Sequence, residues 1–215
     1  MLLSDHILTT NAAVLDRMLG HRFVADIRAD RLRPDVFRRY LAYEGQFVET
    51  AISIFAHAVA VAPDITAQRW LIGVLDALAN TQVRYFEDVF ARLDIAPVAQ
   101  PPVAVTAFDT GMLDIARTGS FSEIVTAMFA AEWMYWTWCR DAAAGQIGDP
   151  DLRAWVDLHA DPAFADQALW LKQAIDTHGD PRDVDRLCAI FDRVMCLEIA
   201  FHGAAYDIPP GGIAK

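Results

Sequence analysis

Met128-Phe129-Ala130-Ala131-Glu132-Trp133-Met134-Tyr135-Trp136 contains one carboxylate in a run that is otherwise apolar or aromatic. The run lacks the strict alternation of a two-faced strand, and its apolar residues recur at helical spacing. Glu132 therefore sits where a soluble helix puts hydrocarbon. Two further stretches repeat the situation. Glu44 lies in Tyr40-Leu41-Ala42-Tyr43-Glu44-Gly45-Gln46-Phe47-Val48, and Glu198 in Val194-Met195-Cys196-Leu197-Glu198-Ile199-Ala200-Phe201. A buried carboxylate must find hydrogen bonds, share a proton, or bind a metal or a cationic ligand. Three of them on three helices imply one polar site inside an apolar bundle.

Outward from these stretches the periodicity stays helical. It predicts helices near 3–18, 33–62, 65–92, 104–117, 120–145, 150–159, 162–177 and 181–206. Asp64 and Ser120 read as N-caps, and Asp180-Pro181 as a cap followed by proline at the first helical position. Pro63 and the Pro97–Pro102 stretch break the pattern. The fold class is all-α, with a single domain over 1–206 and a tail over 207–215 expected to be poorly ordered. Helical spacing surrounds Glu44 with Phe37, Tyr40, Leu41, Phe47, Val48 and Ala51, and turns Glu49 outward, about 140° away. Glu132 has Val125, Met128, Phe129, Tyr135 and Trp136 at the same offsets. Glu198 has Phe191, Val194, Met195, Phe201 and His202.

The chain is 215 residues long, 54% hydrophobic and 22% charged, which suits a globular domain with a large core. A net charge of -11 argues against nucleic acid and against an anionic membrane surface as partners. No apolar run is long enough to span a bilayer, and no basic segment followed by an apolar one opens the chain. Cys139, Cys188 and Cys196 lack metal-type spacing, and reduced thiols in a cytoplasmic protein are expected.

Read alone, several features have simple structural readings. The aromatics Trp133, Tyr135, Trp136 and Trp138 suit a core. His57 suits a core or an interface, and His21-Arg22 suits a turn. Cys139 lies two turns beyond Glu132, about 10 Å along the helix, and reads as a small core residue. Glu198 and His202 share a helix face and could hold a metal, but the paired Glu-x-x-His signature of di-metal bundles is missing. No metal or other cofactor is expected. Phosphate-cradling glycine loops, nucleophile elbows and Cys–His zinc patterns are absent from the sequence.

Nearly the whole chain resembles the TenA/THI-4 (thiaminase II) family. The residues that carry the resemblance are His21-Arg22-Phe23-Val24, Phe37-Arg38-Arg39-Tyr40-Leu41 followed by Glu44, Trp155-Val156-x-x-His159 with Phe164, and Glu198-x-x-Phe201-His202. The resemblance implies a haem-oxygenase-like helical bundle, hydrolysis of thiamin-related aminopyrimidines, and a homo-oligomer, a tetramer or a dimer. It implies general acid/base work for Glu198 and a grip on the aminopyrimidine for Glu44. It sets Glu132 where one branch of the family has a nucleophilic cysteine, so this chain resembles the branch without it. Gly45, Phe47, Phe108, Trp136 and His159 stand at positions that are often tyrosine, and His202 replaces a tryptophan.

The expected activity is conversion of an aminomethyl-pyrimidine to its hydroxymethyl counterpart in a thiamin-salvage type of reaction. Glu198 and Glu132 are the expected catalytic pair. Glu44, Phe47, Phe108, Tyr135, Trp136, His159, Phe201 and His202 are the expected substrate-binding residues. Two carboxylates in a low-dielectric pocket separate their pKa values, so one can donate to a leaving amine while the other activates water or grips a ring amidine. Phe47, Phe108, Trp136 and Phe201 would sandwich a flat heterocycle. Two alternatives stand beside this reading. One is a metal-dependent oxidase on the same scaffold, using Glu44, Glu132, Glu198, His159 and His202. The other is a heterocycle-binding protein without turnover.

Overall fold

The structure, a computed structural model, describes residues 1–207. The expected tail lies, from 208 onward, outside the described residues. Eleven α-helices account for most of the described residues, and no strand occurs among them. They are α1 (Leu3–Thr10), α2 (Ala12–Leu19), α3 (Arg22–Arg28), α4 (Pro34–Ala60), α5 (Ile65–Asp76), α6 (Val83–Leu93), α7 (Val103–Thr118), α8 (Phe121–Ala143), α9 (Pro150–Ala160), α10 (Pro162–His178) and α11 (Val184–Ala204). A π-helical segment, Ala77–Gln82, joins α5 to α6, and a 3₁₀ turn, Pro181–Asp183, precedes α11.

Start signals in the sequence set most of these boundaries. The Asp64 side chain accepts from Ala67 N, and Ser120 forms a reciprocal capping box with Glu123. Asp149 and Asp161 cap α9 and α10, each followed by proline at the first helical position. Three departures from the periodicity have local causes. The helix expected over 3–18 breaks at Asn11, whose Nδ2 donates to Ile7 O and to Cys188 O and so ties the break to α11. His21 and Arg22 begin a helix, not merely a turn, because the His21 side chain accepts from Phe23 N as an N-cap. The helix expected over 65–92 carries the π segment in its middle, which inserts extra backbone and shifts the phase of the side chains after it.

α8 is the central helix. It packs against α9, α10 and α11, while α4 packs against α5 and α7, and α11 against α7. Small residues permit the close approaches. A Cβ at Gly111 would lie 2.7 Å from Leu197 Cδ1, so glycine there lets α7 sit against α11. A Cβ at Gly45 would collide with the rings of Phe86 and Phe90, which holds α6 against α4 beside Glu44. Trp138, Trp155, Tyr40, Phe23 and Phe201 are fully buried and form a continuous aromatic core behind the site. At about 25 cal/mol per Å² of apolar surface, each such ring contributes several kcal/mol to burial. Asp26 on α3 clamps the far end of α11: Tyr206 Oη donates to Oδ2 at 2.7 Å and Arg31 Nε to Oδ1 at 2.8 Å. No described helix is long and apolar enough to cross a membrane.

Candidate active site

One cavity of about 390 Å³ opens between α4, α8 and α11 on one side and the π segment with α9 and α10 on the other. Glu44, Glu132 and Glu198 all line it, so the three carboxylates converge. Phe47, Phe108, Tyr135, His159 and Phe201 line it as well. The rings of Phe47 and Phe108 are 4.5 Å apart, and those of Phe108 and Phe201 4.9 Å, which makes a continuous hydroxyl-free wall. The mouth is set by the exposed Ala77, Thr81, Leu158, Asp161 and Ala163.

Two expected substrate-binding residues lie elsewhere, and the helix phase gives the reason. On α8 the cavity is lined by Met128, Ala131, Glu132 and Tyr135, an arc of about 100° at 100° per residue. Trp136 falls beyond Glu132 on the other side of that arc. Instead it packs against Trp133 and under the Arg140 guanidinium, each 5.1 Å away. α11 repeats the pattern: Phe201 faces the cavity and His202 turns behind it. His202 is fully buried among Phe23, Tyr40 and Tyr135.

The three carboxylates have different surroundings. Glu44 Oε2 accepts from Trp155 Nε1 at 2.7 Å, and its Oε1 faces His159 Nε2 at 3.5 Å. His159 Nδ1–H donates to Trp155 O at 2.9 Å, which fixes that proton and leaves Nε2 for Glu44. Burial opposes charge on His159, but the Glu44 carboxylate, the Trp155 carbonyl and Glu132 outweigh it, and its pKa rises above 6.5. Glu132 Oε1 accepts from Gln167 Nε2 at 2.9 Å. Burial pushes its pKa up to about 7, against the opposing pull of Gln167 and His159.

Glu198 is 1% exposed, and neither carboxyl oxygen has a hydrogen-bond partner. Burial, then the charges of Glu44 and Glu132, raise its pKa well above the ordinary carboxylate range. His202 Nδ1 lies 3.5 Å from Glu198 Oε2, but it spends its proton on the Glu198 carbonyl at 2.8 Å. Desolvation drives the His202 pKa down to about 3 despite that bond, so the ring is neutral.

Trp155, Gln167, Tyr85, Thr81 and Gln82 belong to the site although sequence reasoning passed over them as site residues. Trp155 was visible only as part of a motif. Gln167 carries no signal that separates it from a solvated helix face. Tyr85 follows the π segment, where helical phase can no longer be counted from α5. Cys139 is fully buried and its thiol pKa is pushed well up by burial. Among the described residues, no group of three or more His, Cys, Asp or Glu is arranged to hold a metal ion.

The model of the TENA/THI-4/PQQC family matches residues 11–208. An aminopyrimidine aminohydrolase of Halalkalibacterium halodurans is 22% identical over 197 residues, spanning 87% of this chain and 88% of that protein. A protein of the same description from Helicobacter pylori is 21% identical over 218 residues, 96% of this chain and 100% of its own. Among solved structures, a TenA homologue from Pyrococcus furiosus superposes with a TM-score of 0.87 at 18% identity, covering 95% of this chain and 100% of that one. A TenA homologue from P. horikoshii gives 0.87 at 19% identity, covering 96% and 99%. These superpositions bear out the helical bundle expected from the sequence.

Proposed function

The chain belongs to the TENA/THI-4/PQQC family, and from that premise we propose that it is a hydrolase of thiamin-related aminopyrimidines, converting an aminomethyl-pyrimidine to the hydroxymethyl compound. The observation that carries this reading is the contrast among three carboxylates in one aromatic cavity: Glu44 hydrogen-bonded to Trp155 and facing His159, Glu132 held by Gln167 with its pKa pushed up to about 7, and Glu198 without a partner and with its pKa raised well above the carboxylate range. The aminopyrimidine lies between Phe47, Phe108, Phe201 and Tyr135, as a flat π-system does between rings. Glu44, steadied by Trp155 and His159, accepts from the exocyclic amine and, when the adjacent ring nitrogen is protonated, from its N–H. Positive charge that builds on the amidine as the C–N bond breaks is stabilised there.

Glu198 gives its proton to the departing nitrogen, and Glu132 takes one from the attacking water. The C–N bond of the aminomethyl group breaks and a C–O bond forms. One water is consumed and one ammonia released. By the resemblance, Glu132 takes the place of a nucleophilic cysteine, and this supports placing the protein in the family branch without that cysteine. No cofactor enters the scheme. Ile65, Ile72, Ala56 and Ala60 are exposed apolar residues and support a homo-oligomer, a tetramer or a dimer; sedimentation of a stable micromolar monomer would reject it.

The function is tested with an aminomethyl-aminopyrimidine and purified protein. Hydroxymethyl product and ammonia in equal amounts are expected. Ligand recovered unchanged would make the protein a binder, and turnover that vanishes with a chelator would favour the oxidase.

A further inference from the structure

Tyr40 and Tyr135 carry a hydroxyl pair that the hydrolytic scheme leaves unused. Their phenol oxygens are hydrogen-bonded to each other across α4 and α8. Tyr135 lines the cavity, whereas Tyr40 is fully buried behind it, packed on Phe23, Trp155, Phe201 and His202. Two hydroxyls bring two protons, and the mutual bond uses one. If Tyr135 donated, the Tyr40 proton would be left buried without an acceptor, because Tyr40 makes no other side-chain hydrogen bond. Such an orphan costs about 1–3 kcal/mol. With Tyr40 as donor, the Tyr135 O–H is free to point into the cavity.

The acceptor follows from a second count. Glu44 Oε2 is taken by Trp155 and its Oε1 faces His159, while Glu132 Oε1 is taken by Gln167 and only its Oε2 is open; of the three carboxylates, Glu198 and then Glu44 act on the Tyr135 hydroxyl. Glu198 alone has two oxygens without a partner. The walls beside it, Phe47, Phe108 and Phe201, have no hydroxyl to offer. His202 has already committed its Nδ1 proton to the Glu198 carbonyl. Yet donating a proton to a leaving amine creates a carboxylate at Glu198, in an apolar cavity that already holds Glu44 and Glu132. That charge needs a donor at the moment it forms.

We propose that Tyr135, with its proton directed into the cavity by Tyr40, is the hydrogen-bond donor that stabilises Glu198 once Glu198 has given up its own proton. Tyr40 and Tyr135 are then positioning residues that act through Glu198. The kinetic part of this inference rests on the hydrolase reading of the site, whereas the assignment of the donor does not. The groups facing Glu198 are Glu44 and Tyr40 from α4, Glu132 and Tyr135 from α8, and His202 from α11. His159 of α9 lies on the Glu44 side, and α7 presents only the Phe108 ring.

The test uses Tyr40→Phe, Tyr135→Phe and the double variant of the full chain. Tyr135→Phe should lower kcat about tenfold or more, the scale of a hydrogen bond to a charged group, with KM within about threefold. Tyr40→Phe should lower kcat less. The double variant should match Tyr135→Phe, because the two hydroxyls act as one unit. Loss of the donor makes Glu198 harder to ionise, so the basic limb of the kcat profile should move to higher pH in both single variants. A purely structural role would lower Tm and leave that limb in place. The Glu198 carboxyl titration, followed by carbon NMR in labelled protein without substrate, should move up in Tyr135→Phe. Absence of turnover in the wild type would reject the hydrolase reading while this titration still decides the donor. An unmoved Glu198 titration, or additive kinetic losses, would overturn the proposal.

Discussion

The Glu44 end of the cavity and the Glu198 end are built from the same pieces and behave oppositely. Each has a buried carboxyl and a buried histidine whose Nδ1–H donates to the carbonyl four residues earlier, Trp155 for His159 and Glu198 for His202. The difference is what Nε2 meets. His159 Nε2 faces Glu44 from another helix, and a proton there is stabilised. His202 Nε2 meets no partner, and burial strips it of charge. Glu44 thereby has Trp155 donating to one oxygen and His159 facing the other, while neither oxygen of Glu198 has a partner and its pKa is raised. Burial alone does not set the chemistry of a buried acid. The direction in which its neighbour's second nitrogen points decides whether the pair holds a charge or a proton.

The strongest way to break this comparison is at the bare end. Glu198→Gln keeps the shape and removes the proton. Turnover of an aminomethyl-aminopyrimidine should fall about a hundredfold or more, with circular dichroism and Tm little changed. Retained turnover in the folded variant would remove Glu198 from the mechanism. At the paired end, Glu44→Gln should raise KM about thirtyfold, by weakening a charged hydrogen bond worth about 2 kcal/mol, and lower kcat less. It also removes the main partner of the His159 proton. A histidine whose folded pKa is raised contributes stability that is present below its unfolded value, 6.5, and is lost as pH rises through the folded value. The loss of Tm in Glu44→Gln should therefore be larger below pH 6.5 than well above it. A pH-independent loss would mean that His159 carries no charge next to Glu44.

These two ends were only partly legible in the sequence. The three inward glutamates could be read because an acid in an apolar helical stretch violates the period, and counting by three and four fixes the face. That count cannot choose between the i+3 and i+4 neighbours, which flank the same residue from opposite sides. On α8 and on α11 the i+3 residue, Tyr135 or Phe201, lines the cavity, and the i+4 residue, Trp136 or His202, turns away. Which of the two faces the pocket depends on where α4 and α7 pack, which is tertiary information. The partners were less legible still. Trp155 and Gln167 reach Glu44 and Glu132 across 111 and 35 residues of sequence, and nothing local marks them. The helices themselves were readable because caps and prolines punctuate them. The π segment was not, since Ala77-Leu78-Ala79-Asn80-Thr81-Gln82 contains no helix-breaking residue.

His202→Phe sharpens the comparison with a smaller effect. The ring stays among Phe23, Tyr40 and Tyr135, and the titratable nitrogen is lost. In the wild type the His202 pKa is depressed to about 3, so the unfolded state takes up the proton first and stability drains as pH falls from 6.5 toward 3. The variant lacks that drain. Its Tm relative to wild type should improve by about 5 °C between pH 7 and pH 5, with turnover at pH 7 within about fivefold of wild type. A constant Tm difference across that range would mean that His202 takes up its proton as readily in the folded protein as in the unfolded chain, and the contrast with His159 would collapse.

The smallest effect is expected at Cys139, and it tests which residue occupies the catalytic slot on α8. Cys139 lies two turns beyond Glu132 on the same helix, is fully buried, and does not line the cavity. Burial, with the Glu44 charge adding to it, holds its thiol protonated and poor as a nucleophile. Cys139→Ala should leave kcat and KM within about twofold and lower Tm by a few degrees, the cost of a small core cavity. Alkylation of the folded protein should modify the exposed Cys196 and leave turnover intact. Loss of turnover in a folded Cys139→Ala protein would show that α8 presents a thiol to the substrate. Glu132 would then be a helix-bridging acid held by Gln167, and the contrast between the two ends of the cavity would have to be drawn with Glu44 and Glu198 alone.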